Sequence, residues 1–564
     1  MAKMSRRRLL RTAGAVTAVM GLQAAAEEFA EAETEDRKRP PNILLVLVDD
    51  MGYSDIGCFG SEITTPNLDA LAADGLRFTQ FYNTARCWPS RAALLTGYYA
   101  QQVRRDIIPG VPSGAGGTRP DWARLMPEML RKLGYRCYHS GKWHLDGMPL
   151  KNGFDHSYSL NDHDRHFGPK EHTRDDVSLP AVKPGEAYYS STAIADHAIG
   201  CLHEHNADHT FTPFFSYVAF TAPHFPVQAP LEDIEKFRGV YDRGWDVLRQ
   251  ERWQRMQSLH AGGSELSAIE RELGPPYPFP DAIKSLGPNE VNRPLEWSSL
   301  TESQRKFQAS KMEVHAAMVH RMDAELGRIL ECIKSMGPDE LEHTIVVFLS
   351  DNGASAEMMV RGDGNDPAAT PGQPGSFLSI GPGWSSMCNT PLRRHKTWVH
   401  EGGISTPLIL RWPKGIAAKG QIRITPAHII DIVPTLLEAA AGRKVKPARL
   451  LGKNAPPPPG RSLSNLFDAD APTFNRTLWW QHEGNRALRQ GNFKIVAAGE
   501  SSPWELYDVS ADRSETKNIA LSDPDRAKRM ADHWLALREQ HVIHGTMDLK
   551  KRPARSKEDD WADG

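Results

Sequence analysis

Residues 42–50 have the sequence NILLVLVDD, in which an unbroken apolar run ends directly at two aspartates. An apolar run without alternation is typical of a strand buried on both faces of a parallel sheet. Two further runs, at 214–220 and 344–350, have the same form, and helical patterns such as 314–332 lie between the runs. Strands that alternate with helices predict an α/β fold with a large, mostly parallel or mixed sheet flanked by helices.

Polar residues follow each of these apolar runs at its carboxyl end. In open α/β sheets, ligands bind beyond the carboxyl ends of the strands. We therefore expect the polar residues of different strands to meet in one site, although each of them alone is common in loops. They are Asp49 and Asp50, His224, Asp351 and Asn352, and, after a weaker run at 135–139, Lys142 and His144.

The acidic residues after two of the runs offer only oxygen ligands. Asp49 and Asp50 are adjacent, and their carboxylates would repel each other unless a cation lay between them. Asp351 and Asn352 follow another run in the same way. Oxygen donors without cysteine or paired histidine suit calcium or magnesium rather than zinc. The sequence therefore predicts a site for a hard divalent cation.

Residues 87–97 have the sequence CWPSRAALLTG, which has the features of a short helix. Pro89 suits its first turn and Gly97 suits its end. Cys87 would then lie at a helix N-terminus, where backbone N–H groups favour anions, with Arg91 one turn on along the same face. A buried structural cysteine and a simple thiolate nucleophile are the alternatives. Neither alternative explains why acidic residues that offer oxygen ligands should lie around Cys87.

The C-x-P-S-R-x-x-L-L-T-G pattern of this segment resembles the signature of the type I sulfatases, in the alkaline phosphatase superfamily. Arg394 and His395 replace the small glycines that usually precede the lysine of one family motif, and the resemblance covers roughly residues 40–545. The other segments that resemble family motifs are Asp49–Gly52 with Asp55 and Gly57, Gly141–Leu145, Pro223–Pro226, Ser350–Gly353, and Leu392–Lys396 followed by Glu401–Gly403.

The resemblance implies a chemistry for this site. In that family a formylglycine-generating enzyme oxidises the cysteine, here Cys87, to formylglycine before the protein folds, and the hydrated aldehyde attacks sulfur. One Ca²⁺ per chain is implied, and Asp351 would help to activate the nucleophile. The implied ligands of the ion are Asp49, Asp50, Asp351, Asn352 and the modified Cys87. The implied reaction is hydrolysis of the sulfate ester of an aryl alcohol, another small molecule or a glycan.

The remaining catalytic roles also follow from the resemblance. Arg91, Lys142 and Lys396 would hold formylglycine and the sulfate group. His224 and Lys396 would protonate the leaving alcohol, so that these two residues and Lys142 also bind substrate. His144 would take the proton from the second hydroxyl as sulfate is expelled. An ordinary serine nucleophile lacks this second hydroxyl and would need a water molecule to release the sulfate.

Two regions outside these motifs are expected near the substrate. The polar loop at 161–166 contains His163 and Arg165, which we predict to contact sulfate or sugar, although a solvated loop explains the composition equally well. The stretch at 237–300 could form a lid or cover the surface.

Two other functions compete with sulfate ester hydrolysis. A phosphonate or phosphate diester hydrolase of the same superfamily can carry a similar cysteine motif. An inactive protein that binds sulfated glycans is the alternative outside enzymes, but a binding protein needs no modifiable cysteine.

The ends of the chain predict export and a second, smaller unit. Twin arginines precede a mild apolar run that ends in Ala24-Ala25-Ala26, which is typical of a twin-arginine signal, so we expect the translocase as a partner and a periplasmic or secreted protein. Strands at 477–482, 492–496 and 505–508 and a helix at 525–540 predict an antiparallel C-terminal subdomain. The expected divisions are a signal peptide at 1–26, a linker at 27–40, a catalytic domain at 41–450, a C-terminal subdomain at 451–545 and a charged tail at 546–564.

Composition limits the partners that this chain is expected to bind. A formal net charge of −2 on 564 residues gives no electrostatic reason to bind nucleic acid or an anionic membrane. No apolar stretch is long enough to hold the mature chain in a membrane. The six cysteines are scattered through the chain, and we expect them to be free thiols rather than a disulfide framework.

Overall fold

The computed structural model describes residues 39–263, 265–277, 284–359, 365–442, 449–471 and 475–549. The predicted signal peptide, the linker up to residue 38 and residues 550–564 of the predicted tail lie outside these ranges. The described residues from Asn42 onward form one compact unit. The six cysteines, all within the described ranges, are free, and no described helix is long and apolar enough to cross a membrane.

Eleven strands of the described chain form one mixed sheet. In chain order they are β1 (Asn42–Val48), β2 (Leu76–Tyr82), β3 (Arg136–Gly141), β4 (His156–Leu160), β5 (His172–Arg174), β6 (Val177–Ser178), β7 (Phe214–Ala219), β8 (Thr344–Ser350), β9 (Ser405–Arg411), β10 (Gln421–Arg423) and β11 (Ala427–His428). Their spatial order is β10-β2-β9-β8-β1-β7-β3-β4-β5-β6, with β11 beside β2. The central strands β8, β1, β7, β3 and β4 are parallel, whereas β9 runs antiparallel to β8 and β2, and β5 runs antiparallel to β4. The predicted mixed α/β sheet is therefore confirmed.

Strand β1 is the centre of the molecule because both of its faces are covered. Leu44, Val46 and Val48 face one apolar cluster, and the alternate residues Ile43 and Leu45 face another. Every residue of β1 is buried, as the unbroken apolar run predicts.

Helices cover both faces of the sheet. In chain order they are α1 (Pro66–Ala73), α2 (Cys87–Thr96), α3 (Met126–Arg131), α4 (Ser190–Asp208), α5 (Leu231–Ile234), α6 (Gly244–Ser258), α7 (Glu302–Ser335), α8 (Gly381–Cys388), α9 (Glu401–Ile404), α10 (Ile432–Ala441) and α11 (Pro524–Thr546). Helix α7 is longer than the pattern at 314–332 predicts. Its start is fixed by Thr301, whose hydroxyl accepts a hydrogen bond from the backbone N–H of Gln304 while the Gln304 side chain bonds back.

A second sheet lies near the C-terminus. It contains β12 (Thr477–His482), β13 (Asn485–Gln490), β14 (Phe493–Ala497) and β15 (Glu505–Asp508), all antiparallel. The prediction missed β13, because its sequence NRALRQ has few strand-forming side chains and is held mainly by its neighbours. The indole N–H of Trp480 donates to the carbonyl oxygen of Asn83 at 2.7 Å, so this sheet packs directly on the segment that leads into α2. Helix α11 extends to Thr546, the first residue of the predicted tail.

Candidate active site

Cys87 is the first residue of α2, at the amino end predicted from sequence. Arg86 is the N-cap in extended backbone, and Gly97 ends the helix in the left-handed conformation, with φ 78°, which glycine adopts without strain. The Cys87 side chain is only 3% exposed. Burial raises the pKa of its thiol to about 12, which disfavours a simple thiolate nucleophile.

The four predicted oxygen ligands meet because β1 and β8 are parallel neighbours. Val48 is in register with Ser350, so the residues that follow the two strands emerge side by side. The Asp50 backbone N–H donates to Asp351 Oδ1 at 3.3 Å, and Asn352 Nδ2 donates to Asp50 Oδ1 at 2.7 Å. Asp50 takes the left-handed conformation, with φ 64°, which turns the chain back toward Asp351.

The carboxylate and amide oxygens of this site fit a hard divalent cation. Asp49, Asp50, Cys87 and His224 offer ligand atoms that all lie within 4.8 Å of one another. Among the described residues, Asp49 Oδ1 and Asn352 Oδ1 are buried without a hydrogen-bond partner. Buried oxygens without partners are costly, and a cation would satisfy both. The sequence did not assign His224 to the ligand set, but the structure places its imidazole among these groups.

Two buried cations neutralise the acids from the side of α2 and β3. Arg91 lies 2.9 Å from Asp351 Oδ2 and 3.4 Å from Asp49 Oδ2, and Lys142 Nζ lies 2.6 Å from Asp49 Oδ2. Burial alone would raise the pKa of Asp49, but Lys142, the protonated form of His224 and Arg91 outweigh burial and hold it well below its usual range. Asp49 is therefore ionised throughout the neutral range.

Three histidines line another side of the site. His224 follows β7, and its Nε2 lies 3.7 Å from Asp50 Oδ2, while its Nδ1 donates to the carbonyl oxygen of Phe225 at 2.7 Å. The ring of His163 lies 5.3 Å from that of His224 and 5.4 Å from that of His144. Burial lowers the pKa of all three histidines, so each is neutral at pH 7.

A sequence profile of the sulfatase family matches residues 41–442. The chain belongs to the sulfatase family. A second profile, described as the C-terminal part of N-sulphoglucosamine sulphohydrolase, matches residues 394–540 and so spans the junction with the small sheet. This assignment places the enzyme in the alkaline phosphatase superfamily, as the sequence motifs predicted.

Individual relatives agree with the profile. The sulfatase is 33% identical over 551 residues to an uncharacterized sulfatase of Schizosaccharomyces pombe, covering 89% of this chain and 94% of that one. It is 34% identical to an arylsulfatase of Klebsiella aerogenes, covering 76% and 92% of the two chains. The crystal structure of Ps i-CgsB has a TM-score of 0.63 at 22% identity, covers 90% and 94%, and is similar in fold. The enzyme therefore hydrolyses sulfate esters.

The sulfatase holds Lys396 through a residue that the sequence did not identify. Lys396 Nζ lies 2.9 Å from Asp50 Oδ2 and 2.9 Å from Glu357 Oε2. The other oxygen of Glu357 accepts from Arg86 at 2.7 Å, and Ser355 donates to its Oε2 at 2.9 Å. Glu357 lies in irregular chain after β8 and belongs to no motif, so only its contacts reveal it.

We expect Glu357→Gln to lower kcat/KM for sulfate esters by about 10- to 100-fold, the usual range for residues that orient a catalytic group. The amide keeps the shape of the side chain but removes the charge that faces Lys396 and Arg86. Steady-state kinetics and thermal unfolding of the same preparations would measure both effects.

Glu342→Gln is the matched control, since Glu342 pairs with Arg411 at 2.6 Å just before the amino end of β8, the end of the strand opposite to Asp351. If both variants lost the same small fraction of activity, Glu357 would have no special role toward Lys396.

The other predicted substrate residue, Arg165, has a different environment. Its guanidinium pairs with Asp162, which also accepts from the backbone N–H of Lys170 at 2.8 Å, so the three residues brace the loop after β4. The substrate role of Arg165 stays a prediction. Asp164, which the sequence did not single out, has Oδ1 at 3.5 Å from His224 Nδ1 and lies nearer the histidines.

Proposed function

We propose that this sulfatase cleaves sulfate esters of carbohydrates or aryl alcohols by means of formylglycine formed at residue 87 and one bound Ca²⁺. The observation that carries the proposal is the meeting of the Cys87 side chain with the carboxylates of Asp49 and Asp50 within 4.8 Å. In the structure the Cys87 thiol stands where the aldehyde would be. Hydrated formylglycine would supply a hydroxyl nucleophile, which the buried thiol does not.

Asp49, Asp50, Asp351 and Asn352 are the residues that would hold the cation. Their oxygens form the hard donor set that Ca²⁺ prefers. When bound, the ion would polarise the sulfate oxygens as a Lewis acid. Asp351 faces Arg91 on one side and the Asp50 backbone N–H on the other, so both of its oxygens are oriented before any ligand arrives.

The protein's own charges favour an anionic substrate. Four buried or nearly buried cations, Arg86, Arg91, Lys142 and Lys396, face the four acids Asp49, Asp50, Asp351 and Glu357. Burial and the charges of Asp49 and Asp50 raise the pKa of Asp351 to about 7, so the eight charges sum to zero or slightly above it. A bound divalent cation would leave a net positive site that attracts a sulfate ester.

The roles of the remaining side chains follow from where they lie. Lys142 and Lys396 flank Asp49 and Asp50 and would hold the sulfate group over residue 87. His224 lies on the same side as Lys396, since both contact Asp50 Oδ2. The ammonium of Lys396 would deliver a proton to the leaving alcohol, and His224 would do so once its Nε2 is protonated. His144, neutral because it is buried, can accept the proton that must leave residue 87 when sulfate is expelled.

A comparison of two substrates tests the reaction type. We expect calcium-loaded enzyme carrying formylglycine to hydrolyse p-nitrophenyl sulfate with a higher kcat/KM than p-nitrophenyl phenylphosphonate. Faster release of p-nitrophenol from the phosphonate would overturn the proposal in favour of a phosphonate hydrolase of the same superfamily.

We further propose that the formylglycine-generating enzyme acts on the cytoplasmic precursor and that the twin-arginine translocase then exports the folded product. The proposal rests on the twin arginines and the Ala24-Ala25-Ala26 site in residues 1–26. Mass spectrometry of the Cys87 peptide from precursor and exported protein tests the order. A precursor with only cysteine beside a modified exported protein would refute it.

A further inference from the structure

The tip of the β12–β13 hairpin reaches the active site. His482 Nδ1 lies 3.1 Å from Asp106 Oδ2, and its ring lies 5.7 Å from that of Trp88, the residue after Cys87. Asn485 Nδ2 donates to the carbonyl oxygen of Thr397 at 3.1 Å, next to Lys396. The hairpin therefore forms part of the wall around the reacting groups.

The same turn also lines a groove that the reaction does not use. A cavity of about 190 Å³ lies on its other side, and a second of about 20 Å³ adjoins it. The first is lined by Gln481, Gly484, Arg486, Glu500, Trp534 and Arg538, and the second adds Ile107, Pro109 and Glu483. Glu483 accepts a hydrogen bond from Tyr277 at 2.7 Å, and the Tyr277 ring lies 5.2 Å from the Arg86 guanidinium, so a chain of side-chain contacts links the groove to the active site.

Two arginines in this groove have unused hydrogen-bonding capacity. The side chain of Arg538 makes no hydrogen bond or ion pair with the described part of the chain, and its guanidinium lies 5.9 Å from the Trp534 ring. The side chain of Arg486 donates one hydrogen bond, to the carbonyl oxygen of Ser502 at 2.7 Å, and its buried Nε has no partner among the described residues. It lies over Trp504 at 4.5 Å.

The two guanidinium groups are also close enough to affect each other. Burial lowers the pKa of Arg486, and the charge of Arg538 lowers it further, while Glu500 opposes both. Glu500 also lines the cavity, but it forms no ion pair with either arginine among the described residues, so the two guanidinium groups keep donors for a further anion.

We propose that this groove binds a second anionic group, a sulfate or a carboxylate, of an oligosaccharide whose scissile sulfate ester occupies the site at Cys87. The inference rests on the proposed function and extends it to a substrate class, the multiply charged glycans. Guanidinium groups bind such oxyanions in a fork, and the amide of Gln481 lies in the same lining and provides a hydrogen bond for the sugar.

The test uses sucrose octasulfate as a multiply charged probe and galactose 6-sulfate as a singly charged one. Isothermal titration calorimetry on the full, calcium-loaded protein measures binding, and inhibition of p-nitrophenyl sulfate hydrolysis measures competition. We expect Arg538→Gln to weaken sucrose octasulfate binding by about tenfold, since a charge-assisted hydrogen bond is lost, with Arg486→Gln similar. Galactose 6-sulfate binding and the kcat/KM for p-nitrophenyl sulfate should stay within twofold of wild type.

Arg529→Gln is the matched control because it removes the same charge from the exposed side of helix α11, outside the groove. Equal weakening by Arg529→Gln and Arg538→Gln would overturn the inference and leave only a general charge effect. Since calorimetry needs no turnover, an enzyme without activity on p-nitrophenyl sulfate would refute the proposed function while the groove is still tested.

Discussion

Replacing Cys87 by alanine is expected to lower kcat for p-nitrophenyl sulfate by at least about 10⁴-fold, the scale seen when a covalent nucleophile is removed. Alanine has no thiol to oxidise, so formylglycine cannot form. Arg91, Lys142 and the cation held by the acids would still bind the sulfate group, which leaves only the residual rate that positioned charges provide. Steady-state kinetics of the variant, beside mass spectrometry of the Cys87 peptide in the wild type, measures the effect.

The loss in this variant should come from chemistry and not from unfolding. The Cys87 side chain is small, and its replacement removes one sulfur atom, so we expect little change in Tm. Cys201→Ala is the matched control, since Cys201 is also a buried free thiol, lies within helix α4 and should keep full activity. A Cys87→Ala enzyme with more than a few per cent of the wild-type rate would be incompatible with a nucleophile at this position.

The sequence predicts the metal-ligand residues at the centre of this site well, because parallel strands bring the residues that follow them to one place. Asp49 and Asp351 are about 300 residues apart, yet both follow apolar runs, and strands of that kind end at one edge of a sheet. Cys87 and Arg91 are predicted for a different reason, since the turn residues Pro89 and Gly97 mark both ends of their helix. In both cases a local sequence pattern indicates where the residue lies in the fold.

The residues around the metal-ligand centre have no comparable local sequence pattern that predicts their positions. Glu357 and Arg86 meet across 271 residues from irregular segments, and nothing near either residue in sequence indicates the partner. His482 reaches Trp88 only because the C-terminal sheet docks on the segment before α2, which is a result of tertiary packing. Strand β13, which the sequence analysis did not predict, contains Arg486 of the groove. Both the strand and the groove residue were missed because β13 is held by its neighbours and has no strong pattern of its own.

Asp49→Asn is expected to have the largest combined effect on stability and activity. Lys142 Nζ lies 2.6 Å from Asp49 Oδ2, and Asp49 is its only ion-pair partner among the described residues. The neutral amide leaves that buried ammonium without an anion, which typically costs about 3–5 kcal/mol in the free energy of unfolding. Arg91 is less affected because it keeps Asp351 at 2.9 Å. We also expect kcat/KM to fall by about 10³-fold, as when a preorganised transition-state group is lost.

The pH dependence of this stability difference has a definite sign. Because the pKa of Asp49 is depressed in the folded state, its stabilisation is present above its unfolded pKa of about 3.9 and is lost as the pH falls through the lower folded pKa. The difference in unfolding free energy between wild type and Asp49→Asn should therefore be full at pH 7 and shrink only in strong acid. Asp339→Asn, which breaks the exposed pair with Lys414, should cost no more than about 1 kcal/mol at any pH.

Calcium titration of the same two proteins separates the role of Asp49 as a ligand from its role as the partner of Lys142. Unfolding curves in excess EGTA give the cost of the unpaired ammonium alone. Adding Ca²⁺ to 100 times its Kd should stabilise the wild type by about 2.7 kcal/mol, because the ion binds only the folded state. The variant has lost the Asp49 carboxylate whose Oδ1 is buried without a partner, so its response should be much smaller. An equal rise in Tm for both proteins would mean that the ion binds elsewhere, and the proposed cation site would then be wrong even if the Lys142 pairing were correct.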